Sequence, residues 1–290
     1  MGRLVRVIKK IGALLEMIKF KLTVFAMPFA FTGAFLAAQG VPKARVFLWI
    51  ILAMVGARTC AMGFNRIVDR KFDAANPRTA NRAIPAGEVS LKAAWLMVFV
   101  SAALFFFACY QLNQLTLMLA PLALSLTLFY SLTKRFTSWC HIILGIALSL
   151  SPLGGWVAVT GSLVDYPIVL SLGVMFWVAG FDTIYACLDA DFDRESGLYS
   201  LPSRFGRRGA FRLAVFFHVL AFLLFMATGV QSQLNYFYYI GLVVTAAALF
   251  YQHLIVNPKD LSRIQASFFS MNGTISLTIF FATWLSLATM

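Results

Sequence analysis

Acidic side chains are scarce in this chain: eleven Asp and Glu among 290 residues, against 24 Lys and Arg. Charge of either sign reaches only 12%, where a soluble globular chain carries roughly 25%. That shortage excludes an ordinary soluble domain. Cysteine is sparse as well. Cys60, Cys109, Cys140 and Cys187 form no C-x-x-C pair and lie in or beside apolar runs, which excludes a disulfide framework and a cysteine zinc site. His141, His218 and His253 show no ligand spacing and read as structural or interfacial. Low-complexity linkers and a separate soluble segment are missing too, so residues 1–290 are expected to form one domain. The net charge of +13 raises the question of nucleic acid. Its basic residues sit in short loops between apolar runs rather than on a soluble amphipathic face, and this excludes nucleic acid as the partner.

What is present is apolar length. Hydrophobic residues make up 61% of the chain, and the mean hydropathy is +0.82. Nine segments, near 20–38, 46–66, 93–110, 115–132, 140–160, 166–187, 211–230, 235–255 and 268–288, approach the ~20 residues needed to cross a bilayer. Backbone groups in lipid must be satisfied internally, so these segments are expected to be helices. The fold class is therefore all-α: a polytopic bundle of nine membrane helices. Pro28, Pro121 and Pro152 fall inside spans and are expected to kink them. Ala34-Phe35-Leu36-Ala37-Ala38 weakly mimics a cleavage site, but eight further spans follow, so the first span is expected to be retained.

Charge sets the expected orientation. If the spans alternate, 21 of the 24 basic residues fall on one side. The other side holds Lys43 and Arg45, and Arg58 lies inside a span. The positive-inside rule makes the rich side, and the N-terminus, cytoplasmic and puts the C-terminus opposite. Of the eleven acids only Asp165 falls outside.

Six of the other ten lie in two stretches at cytoplasmic span ends, and Glu16, Glu88, Glu195 and Asp260 lie elsewhere on that side. The first runs from Asn65 to Asp73 and the second from Asp182 to Asp193. The long connections 67–92 and 188–210 follow them on the same face and could cap a cavity. Asn65, Asp69 and Asp73 are four apart and share one face if the helix continues. Asp182, Tyr185 or Ala186, Asp189 and Asp193 follow the same repeat. Carboxylate and amide oxygens without Cys or His are a hard ligand set, suited to Mg²⁺ or Mn²⁺ rather than Zn²⁺. Mg²⁺ is commonly shared between a few carboxylates and substrate phosphates, so two facing clusters could hold a diphosphate between them. Solvated helix-end charges would explain a lone D-x-x-x-D. They do not explain two on one side of the membrane with Asn65 in phase.

Cations complete the pattern. Lys134 and Arg135 follow Tyr130-Ser131-Leu132-Thr133 at a cytoplasmic span end, and Arg78, Arg82 and Arg204 lie in the long loops. A diphosphate needs such donors; plain positive-inside charge is the other reading for the loop arginines. Arg58, about two turns before Asn65, is an intramembrane charge and so a functional candidate. It either contacts substrate or pairs with a site carboxylate.

At these residues the chain resembles the UbiA superfamily of intramembrane aromatic prenyltransferases. That family carries N-D-x-x-D-x-x-x-D, then R-T-x-x-R-P-[LI]-P-x-G; here the residues are Asn65-Arg66, Asp69 and Asp73, then Arg78-Thr79 to Pro85-Ala86-Gly87. Its second motif matches Asp182, Tyr185, Ala186, Asp189 and Asp193, and its Y-S-x-x-K-R element matches Tyr130, Ser131, Lys134 and Arg135. Arg66 departs by replacing the usual Asp. That removes an acid that could bind the metal or support its ligands, and adds a cation able to pair with a carboxylate or touch a diphosphate.

The resemblance implies helices around a central cavity in a bacterial-type inner membrane. It also implies Mg²⁺ on Asn65, Asp69, Asp73, Asp189 and Asp193, holding a polyprenyl diphosphate. The allylic cation would alkylate an aromatic acid such as 4-hydroxybenzoate, in quinone biosynthesis, with Asp182 or Asp189 as base. Arg58, Lys19 and Arg66 are candidates for the acceptor carboxylate. The branch with Arg66 includes proteins that serve menaquinone synthesis through a dihydroxynaphthoate, which leaves the acceptor open.

Two other classes compete. A CDP-alcohol phosphotransferase would show D-x-x-D-G-x-x-A-R, which is missing. A cation-coupled transporter would place isolated acids near the bilayer midplane, where this chain has none by its span assignment.

Overall fold

The computed structural model describes residues 23–290 and, before them, Gly12, Leu14 and Met17. Lys19 lies outside the described residues. The architecture is all helical, with no named strand among the described residues. The helices are α1 Thr23–Ala38, α2 Ala44–Ala75, α3 Leu91–Leu112, α4 Gln114–Thr133, α5 Cys140–Thr160 and α6 Ile168–Ala186. A 3₁₀ turn, Cys187–Asp189, leads into α7 Ala190–Glu195, and α8 Leu201–Gln231, α9 Tyr236–Ile255 and α10 Ile264–Ala288 follow.

Among the described residues, eight helices are long and apolar enough to cross a membrane, counting Ile168–Glu195 as one. In α1 the apolar described part, Met27–Ala38, is shorter than a span, because the expected start at 20 lies outside the described residues. Large apolar side chains cover the outside. Phe99, Met118, Val243 and Phe250 are each about two-thirds exposed, which water would not tolerate and lipid requires. The chain is an integral membrane protein.

The helix ends follow from local chemistry. Asn113 ends α3 in extended conformation and caps α4, its side chain accepting from Thr116 N. The same side chain donates to Val157 O at 2.7 Å and Ala158 O at 3.2 Å, pinning the α3–α4 corner to α5. Ser200 and Ser203 form a capping box at the start of α8, with Pro202 beside it. All three span prolines sit inside helices. A break inside α8 falls at Gly206, whose φ of 69° and ψ of 167° suit glycine.

Two glycines set the closest crossing. A Cβ on Gly33 would lie 2.0 Å from Pro152 O, and one on Gly155 would lie 1.9 Å from Ala30 O. Only a bare backbone lets α1 and α5 approach so closely, as small residues do at membrane helix interfaces.

The two largest buried clusters make up most of the core. One joins Phe29, Trp156, Trp177, Phe181, Phe225 and Tyr238 from α1, α5, α6, α8 and α9. The other joins Cys60, Ile67, Val98, Phe105 and Leu124 from α2, α3 and α4. A central cavity takes lining from both, as the resemblance implied.

Candidate active site

Three helix ends carry the site, and they meet at one end of the bundle. Helix α2 runs unbroken to Ala75, so Asn65, Asp69 and Asp73 do share one face. The second motif differs from expectation. The α-helical repeat stops at Ala186, and a 3₁₀ turn carries Asp189 before the chain re-enters α-helix. The tighter 3₁₀ turn winds three residues per turn, so it rotates Asp189 relative to a continued α-helix, while Asp182 and Asp189 still line one cavity.

Each motif carboxylate of Asp69, Asp73, Asp189 and Asp193 is met by a cation from another segment. Arg135 donates to Asp69 Oδ1 at 2.9 Å, and also to Val68 O and Ser131 O. Arg82 donates to Asp73 Oδ1 at 2.6 Å. Arg78 grips both oxygens of Asp189 through Nε and Nη2. Lys134 donates to Asp193 Oδ1 at 2.9 Å. Burial would push the Lys134 ammonium down, but the Asp193 carboxylate outweighs it and holds the pKa above the ordinary value. For the Arg78 guanidinium burial again opposes charge, and the Asp189 carboxylate again wins. The segments between are tied to the same groups: Leu198 N donates to Asp193 O and Tyr199 N to Lys134 O, both at 2.7 Å.

These side chains line a polar cavity of about 190 Å³. Among the described residues it contains every expected site residue except Arg58, Ser131 and Arg204. A second, largely apolar cavity of about 450 Å³ continues from it, lined by Ser131, Phe105, Trp177 and Phe181 among others. Asn65, Arg66, Arg82, Tyr130, Asp182 and Tyr185 line both and so form the junction.

The odd cations are resolved. Arg58 lines the apolar cavity with its Nε buried and unpartnered, and it pairs with no carboxylate among the described residues. Arg66 is buried and donates to Asn65 Oδ1 and Met17 O, each at 3.3 Å, rather than to a carboxylate. Arg204 lines neither cavity; it stacks on Phe205.

The profile of the UbiA prenyltransferase family matches residues 26–283. The chain belongs to that family. Its resemblance in sequence is therefore one of descent, and the chain is a membrane prenyltransferase. The transporter and phosphotransferase readings fall away with it.

Among relatives, the 4-hydroxybenzoate octaprenyltransferase of Nitrosospira multiformis is 33% identical over 250 residues, covering 86% of this chain and 85% of that one. The 4-hydroxybenzoate octaprenyltransferase of Vibrio cholerae is 33% identical over 245 residues, covering 84% and 85%. Among solved structures, the apo UbiA homolog of Aeropyrum pernix K1 superposes with a TM-score of 0.83 at 34% identity, covering 90% of this chain and 96% of that one. The Archaeoglobus fulgidus UbiA homolog, bound to GPP and Mg²⁺, has a TM-score of 0.72 at 17% identity, covering 94% and 99%; it shares the fold.

Two residues of this UbiA-family site escaped the sequence reading. Asn76, the residue that ends α2, donates to Asp189 Oδ1 at 3.0 Å and accepts from Arg78 N. Its place one residue beyond a helix that ends in Asp73-Ala74-Ala75 was a usable signal. His141 was read as structural or interfacial. Its Nδ1 in fact lies 2.7 Å from Asp182 Oδ2, across 41 residues of sequence, and no spacing rule reports that.

Proposed function

We propose that the chain transfers a polyprenyl group from a polyprenyl diphosphate to a hydroxylated aromatic acid, with Mg²⁺, in quinone biosynthesis. The observation that carries this reading is the joined pair of cavities: a carboxylate- and cation-lined one continuing into an apolar one. A substrate with a diphosphate head and a hydrocarbon tail has that division of polarity.

The donor chemistry of the polar cavity suits a hard divalent cation, although among the described residues no three carboxylates are gathered closely enough to hold one as they stand. Asn65, Asp69, Asp73, Asp189 and Asp193 offer oxygen only, and Asp73 Oδ2 is buried without a hydrogen-bond partner. Bound there, Mg²⁺ would offset the diphosphate charge and favour its departure. Arg78, Arg82, Lys134 and Arg135 ring the same cavity and supply charged donors to the diphosphate.

The allylic C1–O bond breaks at the junction, and its electron pair leaves with the diphosphate. The allylic carbon joins the ring carbon beside the acceptor hydroxyl. Phe105, Trp177 and Phe181 line the apolar side, where aromatic rings can stabilise the developing cation. The ring proton passes to Asp182, which lines the junction. Asp189 is the weaker candidate, because Arg78 and Asn76 already occupy its oxygens. Arg58 holds the acceptor carboxylate from within the apolar cavity, and Arg66 adds a second cation at the junction. Leu122, 60% exposed, also lines this cavity, so a long prenyl tail can leave toward lipid.

The site end of the bundle faces the cytoplasm of a bacterial-type inner membrane, on the strength of its basic loops. The test is a panel of 4-hydroxybenzoate and dihydroxynaphthoates with labelled polyprenyl diphosphate and Mg²⁺, read by product mass. A prenylated aromatic acid is expected, and its identity separates the two acceptors. Transfer to none of them by folded enzyme would refute the reading.

A further inference from the structure

His141 is 1% exposed at the start of α5, and both of its ring nitrogens are engaged. Nδ1 lies 2.7 Å from Asp182 Oδ2, and Nε2 receives the Leu201 amide at 3.3 Å. A backbone amide only donates, so Nε2 carries a lone pair and the ring proton resides on Nδ1. This tautomer is assigned from its partners. In it the imidazole is neutral and donates to Asp182. Asp182 Oδ1 takes no hydrogen bond among the described residues.

We propose that His141 is a positioning residue for prenyl transfer: clamped between the Leu201 amide and Asp182 Oδ2, it fixes the carboxylate so that Oδ1 presents one defined lone pair to the acceptor ring at the cavity junction. The inference rests on the reading of Asp182 as the base.

The geometry supplies the reason such a clamp is needed. Asp182 stands where the polar and apolar cavities meet, and the arginines and lysine that hold the other motif carboxylates do not reach it. Unheld, its carboxylate could rotate toward those cations and away from the ring. A neutral imidazole fixes the direction without adding a positive charge that would weaken the base. The Leu201 amide is one of the orphan donors at the start of α8, so the ring also satisfies a helix end. The preceding segment is anchored at Leu198 N to Asp193 O and Tyr199 N to Lys134 O. The loop closing the polar cavity thus also fixes the ring that aims Asp182.

The test uses full-length enzyme purified in detergent, with Mg²⁺, geranyl diphosphate and 4-hydroxybenzoate or whichever acceptor the panel identifies. His141→Leu keeps bulk and removes both polar atoms. His141→Asn puts an amide donor near the Nδ1 position. Groups that orient a functional side chain typically contribute about 10–100-fold. His141→Leu should therefore lower kcat by about that factor, with KM for both substrates within about threefold. His141→Asn should recover most of the loss. A general packing defect would lower Tm and would not separate these variants.

If His141→Leu does not fold, His141→Gln, which can still meet the Leu201 amide, takes its place with the same expected loss. Wild-type kcat in the Leu or Gln variant, or an Asn variant as slow as it at wild-type Tm, overturns the positioning role. Asp182→Asn is measured alongside. Wild-type kcat there overturns the base reading itself, whereas a slow Asp182→Asn beside a normal His141→Leu overturns only the inference about His141.

Discussion

Lys134→Met removes the cation facing the most buried motif carboxylate. Asp193 is 1% exposed, and the Lys134 ammonium lies between its two oxygens, 2.9 Å from Oδ1 and 2.8 Å from Oδ2. The substitution leaves both oxygens without a donor while the charge stays buried. Breaking a fully buried pair from one side destabilises by ~3–5 kcal/mol. The Lys134 side chain is 34% exposed, so water replaces part of what it supplies and we reduce the figure to ~2–3 kcal/mol. At about 2 °C per kcal/mol for a chain of this size, the apparent Tm should fall by ~4–6 °C.

Removing both charges with Lys134→Met and Asp193→Asn together should recover more than half of that drop. The sign of the pH dependence follows from the raised Lys134 pKa. Its contribution is complete below the ordinary value of 10.5 and fades only as pH rises past the higher folded value. The deficit should therefore be the same at pH 7 and pH 9. The assay is thermal unfolding in detergent at a fixed scan rate, followed by tryptophan fluorescence. A single variant as stable as wild type, or a double variant no better than the single one, refutes the claim that Lys134 compensates Asp193.

Arg58→Gln should raise KM for the aromatic acid at least tenfold while leaving KM for the prenyl diphosphate within about twofold, since the lost charge–carboxylate contact is worth ~1.5–3 kcal/mol; steady-state kinetics with each substrate varied would show otherwise if Arg58 served the diphosphate. Gly155→Ala drives a methyl group to 1.9 Å from Ala30 O, so α1 and α5 must separate, and a lowered Tm and a smaller folded fraction on size-exclusion chromatography are expected. Excess EDTA should abolish transfer and Mg²⁺ restore it; full activity in EDTA-treated enzyme would remove the metal from the proposed chemistry.

The site was legible where local rules govern it. Asn65, Asp69 and Asp73 keep a four-residue rhythm, and α2 carries that rhythm to Ala75. Lys134 and Arg135 follow a recognisable span end and meet Asp193 and Asp69 as charge complementarity requires. Legibility failed where long-range packing intervenes. The 3₁₀ turn at Cys187–Asp189 is not encoded by any breaker residue, and it alters the phase of Asp189. His141 meets Asp182 because α5 packs on α6, a relation no spacing records. Arg58 could be flagged as an intramembrane charge, but that it lines an apolar cavity and pairs with no carboxylate among the described residues is visible only in the structure.

The amino-acid sequence alone determined the membrane-helix class, the segregation of charge to one end and the family motifs, because hydropathy and helical periodicity act over one or two turns. The tertiary structure alone decided which cation answers which carboxylate, where polar cavity gives way to apolar, and that His141 lies against Asp182. Those depend on distances between helices, and only the packing of the whole bundle sets them.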